Sequence, residues 1–382
     1  MRILHVLTLN SRNGEYGGPV RVARELCREL NNLGHVTHIF SGALTGFEPE
    51  AVPDLSESQI VLKPILTSFP LSSLWSWKLI VPLNGLIKKS DIVHIHFARD
   101  LVPFLAAILA FLNHKPFITQ THGMIRKENN PVKKLVDFLF TVPIMKRAQS
   151  NLVLTALERK HLNEISPKLS PIIFRNGISH TFLDLQTNEL SEKRKVIFCS
   201  RINEKKGVGI FLEIAKEFSK SDQIDFLIFG PDGGELKLVL DKILEFSQKN
   251  IATTKYLGPL LTGEVTKVFA NVDLLILPSL EDAYPMVILE SLSVGTPVLI
   301  SRFCGNADDV KLIDPEFVCS SDVIGEYVTK TKSILRKHSL SSNRDVLKKL
   351  SLEFFDIKPI TKSLVELYKV ANFKKENLTN ES

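Results

Sequence analysis

Two basic side chains follow a strongly apolar stretch in the middle of the chain and could bind an anion. Lys195–Ser200 is a predicted strand, and Arg201 and Lys206 come shortly after it, with Gly207 next. The planar guanidinium of an arginine can bind two phosphate oxygens at once, and a lysine ammonium adds a point charge. Arg201 and Lys206 are therefore candidates for binding a diphosphate, although a solvated cationic turn would have the same sequence.

Three carboxylates lie in the loop and helix that follow a second predicted strand. Glu281 and Asp282 follow the predicted strand Asp273–Pro278, and Pro285 can begin a helix that carries Glu290. A carboxylate can accept hydrogen bonds from two neighbouring hydroxyl groups. This segment therefore favours a ligand rich in hydroxyl groups.

A glycine pair lies where the first predicted strand passes into the first predicted helix. Gly17 and Gly18 precede Pro19, and an apolar stripe ending at Leu33 predicts a helix that stops at Gly34. Free N–H groups at a helix N-terminus attract anions, which makes Gly17 and Gly18 candidates for phosphate binding, with a structural turn as the alternative. The loop lacks the GxGxxG pattern, and the second strand ends without a carboxylate for a ribose, which disfavours a dinucleotide oxidoreductase.

Histidines mark two neighbouring predicted strands. His94 and His96 alternate within an apolar strand, a pattern typical of buried structural histidines. His122 follows the next strand, and from the residues alone a structural and a functional role are equally open for it. Thr155 and Glu158 have the spacing of a helix capping box, and Asn176 with Gly177 predicts a turn.

The order of the predicted elements indicates two domains. Short β-branched runs alternate with helical patterns, which predicts an α/β fold with parallel sheets. Polar residues 179–194 lack apolar periodicity and are interpreted as a linker between domains at 1–178 and 195–355. A helix over Asp356–Phe373, with Leu364 and Val370 on its apolar stripe, is expected to return to the first domain. The predicted strands are Arg2–Thr8, His35–Ser41, Gln59–Ile65, Asp91–His96, Pro116–Thr121, Asn151–Thr155 and Pro171–Phe174 in the first domain, and Lys195–Ser200, Asp225–Phe229, Thr254–Leu257, Asp273–Pro278, Pro297–Ser301 and Glu316–Cys319 in the second.

Composition excludes several classes of protein. Of the 382 residues 44% are hydrophobic and 24% charged, which excludes a mainly disordered or collagen-like chain. The four cysteines form no CxxC pair; Cys27 and Cys199 lie in apolar runs and are predicted buried thiols, which fits a reducing cytoplasm. No signal peptide is expected, and the longest uncharged apolar run, Leu101–Leu112, has 12 residues where a bilayer needs about 20.

Taken together, these motifs resemble the family-4 retaining glycosyltransferases of the GT-B fold. The resemblance is most specific over Pro278–Pro297 and extends from the first strand to about residue 300. It implies two Rossmann-like, doubly wound domains facing a cleft, with an acceptor on the N-terminal domain and a nucleotide-sugar on the C-terminal domain. The family transfers the sugar with retention, and the departing phosphate deprotonates the acceptor hydroxyl. The motifs that carry the resemblance are Gly17-Gly18, His122-Gly123, Asn176-Gly177, Arg201, Lys206-Gly207 and the stretch from Glu281 to Pro297.

The resemblance assigns a role to each matching residue. Arg201 and Lys206 match the pair that holds the donor diphosphate, and Glu290 matches the glutamate that contacts the nucleotide ribose. The family's E-x7-E pattern becomes D-x7-E with Asp282, while Glu281 gives E-x8-E, so both registers for the carboxylate at the donor sugar stay open. By the same resemblance Gly17 and Gly18 lie near the donor phosphates, and His122 lies near the reacting centre.

No metal and no cofactor are expected besides a UDP- or GDP-linked sugar as co-substrate. No two aspartates are separated by a single residue, so the chain has no D-x-D motif for a metal–diphosphate complex. The charge of the leaving group must then be neutralised by cationic side chains and helix N-termini, and Arg201 and Lys206 can supply the cations.

The first half of the chain is basic. Residues 1–178 contain 21 Lys/Arg and 13 Asp/Glu, and the remainder contains 27 and 29. The apolar segment Pro131–Ala148 has Lys133, Lys134, Lys146 and Arg147 at its ends. This pattern is typical of a core helix with solvated ends, and an interfacial segment on anionic lipid is the alternative.

Together with these patterns, the resemblance implies a metal-independent hexosyltransferase-type enzyme that builds a polysaccharide or a lipid-linked glycan. Its expected partners are a nucleotide-sugar, a glycan or polyprenyl-linked acceptor and, as a candidate, an anionic membrane, but not nucleic acid. The predicted location is the cytoplasm, with peripheral contact at the inner face of the cell membrane as the second option. The alternatives are a transferase with a small soluble acceptor and a catalytically silent nucleotide-sugar-binding subunit.

Overall fold

The computed structural model describes residues 1–10, 17–44, 55–64, 74–179, 193–261, 263–338 and 341–380. It consists of two compact units, one formed by Met1–Gly177 with Ile357–Ser382 and the other by Ile178–Asp356. Each unit contains one sheet of mainly parallel strands connected by helices, so the predicted α/β fold with two doubly wound units is confirmed. Most of the predicted linker, residues 180–192, and part of the first glycine loop, residues 11–16, lie outside the described residues.

The first unit has an eight-stranded sheet in the order β4-β3-β2-β1-β5-β6-β7-β8. Every predicted strand of this unit is present; the prediction missed β4, which pairs with β3 in the antiparallel direction. The strands are β1 (Arg2–Leu9), β2 (Val36–Leu44), β3 (Glu57–Pro64), β4 (Leu74–Trp75), β5 (Ile92–His96), β6 (Phe117–Gln120), β7 (Asn151–Val153) and β8 (Ile172–Ile173), and the helices are α1 (Gly17–Asn32), α2 (Ile80–Lys89), α3 (Leu101–Leu112), α4 (Pro131–Val136), α5 (Val142–Arg147), α6 (Ala156–Ile165) and the C-terminal α14 (Ile357–Asn380).

The second unit has a six-stranded parallel sheet in the order β11-β10-β9-β12-β13-β14. Two of its central strands, Leu274–Leu277 and Val298–Ser301, are fully buried, and Arg194–Cys199 is buried from Val196 onward, as continuous apolar runs require when helices cover both faces of a sheet. The strands are β9 (Arg194–Cys199), β10 (Ile224–Phe229), β11 (Thr253–Tyr256), β12 (Leu274–Leu277), β13 (Val298–Ser301) and β14 (Val318–Cys319), and the helices are α7 (Val208–Lys216), α8 (Leu236–Ser247), α9 (Val265–Ala270), α10 (Met286–Ser293), α11 (Ala307–Ile313), α12 (Ile324–Lys337) and α13 (Ser341–Phe355).

The C-terminal helix α14 packs against α1 and β5 of the first unit. Its buried face contains Leu364, Tyr368 and Ala371, whereas Val370 is 53% exposed, so the predicted apolar stripe was wrong at that residue. The tyrosine was missed because its ring packs like an apolar side chain while its hydroxyl requires a partner inside the protein. Gly177, predicted in a turn, lies against the start of this helix; an added Cβ would be 2.8 Å from Ile357 Cα.

The glycine pair belongs to helix α1 and does not precede it. Gly17 and Gly18 are its first residues, and Gly34 follows its end with φ +82° as predicted. Leu33 lies beyond the helix and is 37% exposed, so the predicted stripe ends one turn earlier, at the fully buried Leu30.

Candidate functional site

The order in which the strands are added to the second sheet reverses at β9. The strand β10 pairs on one side of β9 and β12 on the other, so the connections leave the two neighbouring strands toward opposite edges of the sheet. Ligands of open α/β sheets bind at the carboxyl ends of the strands at such a switch point. Arg201 and Lys206 follow β9, and Glu281 and Asp282 follow β12, so the structure brings four of the predicted site residues to this one point.

Arg201 is half-buried and lies over a glycine. A Cβ at Gly233 would be only 2.7 Å from Arg201 Cγ, so a larger residue there would displace the arginine side chain. The loop that holds this glycine is fixed to the arginine loop, because the backbone N–H of Ile202 donates to the Pro231 carbonyl at 2.9 Å and Ile202 accepts from Gly233 at 3.0 Å. The loops at the carboxyl ends of β9 and β10 thus jointly fix the position of Arg201.

Lys206 ends a short 3₁₀ turn, Glu204–Lys206, that is capped by Asn203. The Asn203 side chain accepts from the backbone N–H of Lys206 at 3.0 Å, and Gly207 then adopts φ +76° before α7 begins. A Cβ at Gly207 would lie 2.0 Å from the Pro278 carbonyl oxygen, so only glycine allows this loop to approach the loop after β12. No side chain caps the start of α7, a nine-residue helix.

Each of two neighbouring lysines pairs with one of two neighbouring carboxylates. Lys206 Nζ lies 2.5 Å from Asp282 Oδ2, with side chains 25% and 12% exposed. Lys205 Nζ lies 3.2 Å from Glu281 Oε2, with side chains 70% and 36% exposed. Of the two registers left open by the sequence, Asp282 is therefore the carboxylate that accompanies the predicted diphosphate lysine.

The backbone on both sides of Asp282 is fixed by its neighbours. Leu280 N–H donates to the Lys205 carbonyl at 2.9 Å, and the Asp282 carbonyl accepts from Gly305 N–H at 2.8 Å. Burial raises the pKa of the Asp282 carboxyl, and the adjacent Lys206 ammonium opposes this shift without cancelling it. The Lys206–Asp282 pair is thus held in a poorly solvated position.

Glu290 lies on α10, which Pro285 precedes as predicted. Glu290 is 1% exposed, which is rare for a glutamate, and the Ser293 hydroxyl donates to its backbone carbonyl at 2.8 Å. Its predicted contact with a ribose stays a prediction.

In the first unit four histidine rings lie in one buried cluster. His94 and His96 are buried and hydrogen-bonded, as predicted for structural histidines, and His5 on β1 and His122 after β6 join them. His5 was missed in the sequence, although it lies at an alternating apolar position of the first strand. In the described parts of the chain, no three His, Cys, Asp or Glu side chains are grouped so that they could hold a metal ion.

Glu158 has a different role from the one its spacing predicted. Thr155 does cap α6, since its hydroxyl accepts from Glu158 N–H at 3.1 Å. The Glu158 carboxylate, however, turns to the residues around His122: it accepts from Thr121 Oγ1 at 2.5 Å and from Gly123 N–H. The other carboxylate oxygen, Oε2, accepts from Leu154 N–H at 2.6 Å, one residue before the N-cap Thr155. The capping box is therefore only half present, and the carboxylate satisfies buried donors both beside His122 and just before the helix.

The basic segment forms an exposed surface. It consists of α4, a π-helix at Asp137–Thr141 and α5, and the buried Arg99 fixes Asp137 through two hydrogen bonds of 2.7 and 2.9 Å. Phe138 on the π-helix is 76% exposed and no residue of α4 is buried, whereas Ile144 and Met145 of α5 are buried in the core of the unit. One face of the segment thus packs on the core and the other is exposed, and contact with a membrane stays a prediction. We define the basic apolar surface by its exposed apolar and cationic side chains: Leu135, Phe138, Leu139, Phe140, Lys127, Lys134, Lys146 and Arg147.

A pocket of about 530 Å³ opens on this surface, and Lys127, Lys134 and Lys146 lie in its wall with Phe138. Arg147 packs over the ring of Phe111, 5.3 Å from its centroid, which extends the surface to α3. Among the helices that the structure describes, none is long and apolar enough to cross a membrane.

Comparison with known families identifies the chain. Residues 182–348 match the family model "Glycosyl transferases group 1", and residues 16–180 match "Glycosyltransferase Family 4". The chain belongs to these glycosyltransferases. The resemblance found in its motifs is thereby confirmed, and sugar transfer is its class of reaction.

Solved structures with the same fold include enzymes of several kinds. The chain is similar to HepE from Anabaena in complex with UDP-glucose (15% identity, TM-score 0.72, covering 97% of this chain and 100% of that one). It is also similar to sucrose-phosphate synthase from Thermosynechococcus elongatus (14%, 0.69, 100% of both chains) and to WaaG, a glycosyltransferase involved in lipopolysaccharide biosynthesis (14%, 0.64, 96% and 99%). These likenesses place this glycosyltransferase in the two-domain GT-B fold.

No curated protein matches the chain. The predicted roles in this glycosyltransferase therefore stay predictions for Gly17, Gly18, His122, Arg201, Lys206, Glu281, Asp282 and Glu290.

Proposed function

We propose that this glycosyltransferase moves a hexose from a UDP- or GDP-linked donor to a glycan or polyprenyl-linked acceptor, with retention at the anomeric carbon. The observation that carries the proposal is the position of Arg201 and Lys206 at the switch point between β9 and β12, with Asp282 against Lys206. Structural neighbours with the same fold bind UDP and UDP-glucose, which supports a nucleotide-sugar as the donor.

In the proposed mechanism fixed cations stabilise the leaving nucleoside diphosphate. Arg201 donates two N–H bonds to phosphate oxygens, and Lys206 adds its ammonium charge. As the glycosidic bond breaks, negative charge grows on the phosphate oxygen, so these contacts strengthen in the transition state. The departing phosphate takes the proton of the acceptor hydroxyl on the same face of the sugar, as the family resemblance implies.

The remaining predicted residues orient the donor. Glu290 accepts from the ribose hydroxyls, and Asp282 holds Lys206 in place at the side of the donor sugar. Gly17 and Gly18 at the start of α1 offer backbone N–H groups to the phosphates. His122 contacts the reacting sugar.

The proposal includes no metal ion and no cofactor. The chain has no D-x-D motif, and the two cations can neutralise the diphosphate without Mg²⁺. The proposed location is the cytoplasm, since the four cysteines are buried free thiols and a reducing compartment keeps such groups unpaired.

The acceptor proposal rests on the basic apolar surface. Exposed aromatic and aliphatic side chains beside lysines are suited to the headgroup region of an anionic bilayer, where a polyprenyl-linked glycan would be presented. Likeness to WaaG, which is involved in lipopolysaccharide biosynthesis, agrees with this. Likeness to sucrose-phosphate synthase favours the second candidate, a small soluble acceptor.

The test is thermal stabilisation by UDP-, GDP- and ADP-sugars, followed by transfer assays with the donor that stabilises most. A donor at about 100 times its Kd should stabilise the fold by about 2.7 kcal/mol. Lys206→Ala should reduce this stabilisation, and Lys205→Ala, which changes the exposed neighbour, should keep it in full. Stabilisation without transfer to any glycan or lipid acceptor would favour a catalytically silent nucleotide-sugar-binding subunit.

A further inference from the structure

Three imidazole rings in the first unit form a continuous hydrogen-bonded chain. His5 Nδ1 lies 3.1 Å from His96 Nε2, and His96 Nδ1 lies 2.7 Å from His122 Nε2. The rings stack as well: the centroids of His96 and His122 are 5.0 Å apart, with 11° between the ring planes. The chain thus connects the interior of β1 with the loop after β6.

The strand register explains how these rings meet. His5 on β1 pairs with His94 on the neighbouring strand β5. His94 and His96 are two residues apart and therefore lie on the same face of β5. His94 lies next to the three hydrogen-bonded rings but does not bond to them, because its two ring nitrogens bond to Tyr368 at 2.7 Å and to Gln120 at 3.1 Å.

All three rings of the chain are neutral at physiological pH. Burial lowers the pKa of His5 and of His122 to about 3 and holds that of His96 well below the ordinary value. A neutral imidazole carries a single N–H, so the middle ring must donate to one neighbour and accept from the other. Only two arrangements are then possible: all three protons on Nδ1, or all three on Nε2.

The inner end of the chain selects between these arrangements. His5 Nε2 is buried and has no hydrogen-bond partner among the described residues. If the protons were on Nε2, that atom would be a buried N–H without an acceptor, and such groups are rarer in proteins than acceptors that lack a donor. With the protons on Nδ1, His5 donates to His96, His96 donates to His122, and His122 keeps an N–H at Nδ1.

The outer end of the chain is held in an unusual backbone conformation. His122 has φ +49°, in a region that residues other than glycine rarely adopt. The Glu158 carboxylate fixes the residues on either side of it. Strained backbone that is held from both sides is found at functional sites.

We infer that His5 and His96 are positioning residues that hold His122 as a neutral ring protonated at Nδ1, so that His122 gives the reacting sugar a hydrogen-bond donor and not a base. The inference rests on the proposed function for the identity of the sugar ligand. The tautomer of the His122 ring, however, follows from the hydrogen bonds among the three rings alone and can be measured without turnover.

The first test is long-range ¹H–¹⁵N NMR of the full-length protein with ¹⁵N-labelled histidine, with His122 assigned by comparison with His122→Gln. A protonated Nδ1 and a bare Nε2 on His122 are expected from pH 7 to 8. A protonated Nε2, or rapid averaging between the two forms, would overturn the inference. This result holds even if no sugar donor is ever found.

The second test compares His96→Leu with His94→Leu, the same substitution in two adjacent buried rings. His96→Leu should release the ring of His122 into both tautomers and lower kcat by about 2–10-fold, because only part of the population is competent, with KM for the donor little changed. His94→Leu should leave the His122 tautomer as it is in the wild type. An unchanged tautomer in His96→Leu, or an equal change in both variants, would contradict the role of the chain. If His96→Leu does not fold, the wild-type spectrum still decides.

Discussion

Lys206 Nζ and Asp282 Oδ2 lie 2.5 Å apart and join two loops that are 76 residues apart in the sequence. The contact places a carboxylate directly beside a lysine that the motifs assign to the donor diphosphate. Two effects combine in this pair: Asp282 fixes the position of the ammonium group, and the ammonium opposes the rise that burial causes in the pKa of the Asp282 carboxyl. This contact favours the D-x7-E register, and the choice between Asp282 and Glu281 at the donor sugar stays a prediction.

Lys206→Ala should lower kcat by about 10²–10³-fold, because it removes a charge that acts on the leaving diphosphate. Lys205→Ala is the matched control, since that side chain is 70% exposed and pairs only at the surface. Steady-state kinetics with the stabilising donor would measure both. Equal activity of the two variants would remove Lys206 from the mechanism.

Asp282→Asn and Glu281→Gln should differ in their effects. The first releases the ammonium group of Lys206 from its position and should cost about 10²-fold in kcat, as misplacement of a catalytic group does. The second breaks an exposed ion pair and should change kcat little. A larger loss in Glu281→Gln would assign the donor-sugar position to Glu281 and the E-x8-E register.

Stability should fall as the pH drops below about 6.5. His5 and His122 have folded-state pKa values of about 3 against 6.5 for an unperturbed histidine, so the unfolded chain binds more protons between these values. Their contribution is complete above pH 6.5 and is lost progressively toward pH 3, at up to about 1.4 kcal/mol per pH unit for each ring. Urea unfolding between pH 8 and pH 5 would measure the slope. A flat profile would mean that these rings are charged or solvated in the folded protein.

Activity should persist in excess EDTA. Fixed cations take the place of Mg²⁺ at the diphosphate in the proposed mechanism, so chelation removes nothing that the transfer step needs. The assay compares initial rates with EDTA, with added Mg²⁺ and with added Mn²⁺. A rate that is lost on chelation and restored by either ion would refute metal independence.

Binding to vesicles tests the basic apolar surface. Anionic vesicles should bind the protein more strongly than neutral ones, and binding should weaken above about 0.15 M salt, where the screening length is about 8 Å. Replacing Lys134 and Lys146 by Gln should remove the preference for anionic lipid, and Phe138→Ser should weaken binding to both kinds of vesicle. Cosedimentation would measure each effect.

The matched control is Leu244→Ser on α8 of the second unit, a leucine that is 61% exposed outside the basic apolar surface. It should bind vesicles as the wild type does. If the wild type binds neither kind of vesicle, the soluble-acceptor alternative replaces the lipid-linked one.

Local patterns in the sequence determined the fold class and most of the elements. Each run of β-branched residues became a strand because burial on both faces of a parallel sheet demands continuous apolar sequence. The two-residue β4 escaped prediction, since its pairing with β3 depends on neighbours brought close by the fold. Arg201, Lys206 and Glu290 were proposed as site residues from their places after strands or on a helix, and the structure confirms those places.

Only the tertiary structure decided which side chains meet. Glu281 and Asp282 are adjacent in sequence and chemically alike, and the approach of the Lys206 loop, which Gly207 makes possible, determines which of them is buried. In the sequence His5 is an ordinary polar residue of a strand, and only the strand register shows that it lies against β5. The spacing of Glu158 predicts a helix cap, and only the structure shows that its carboxylate accepts a hydrogen bond from the loop around His122. Such contacts depend on distances between residues far apart in the chain, and the local periodicity of a sequence does not contain them.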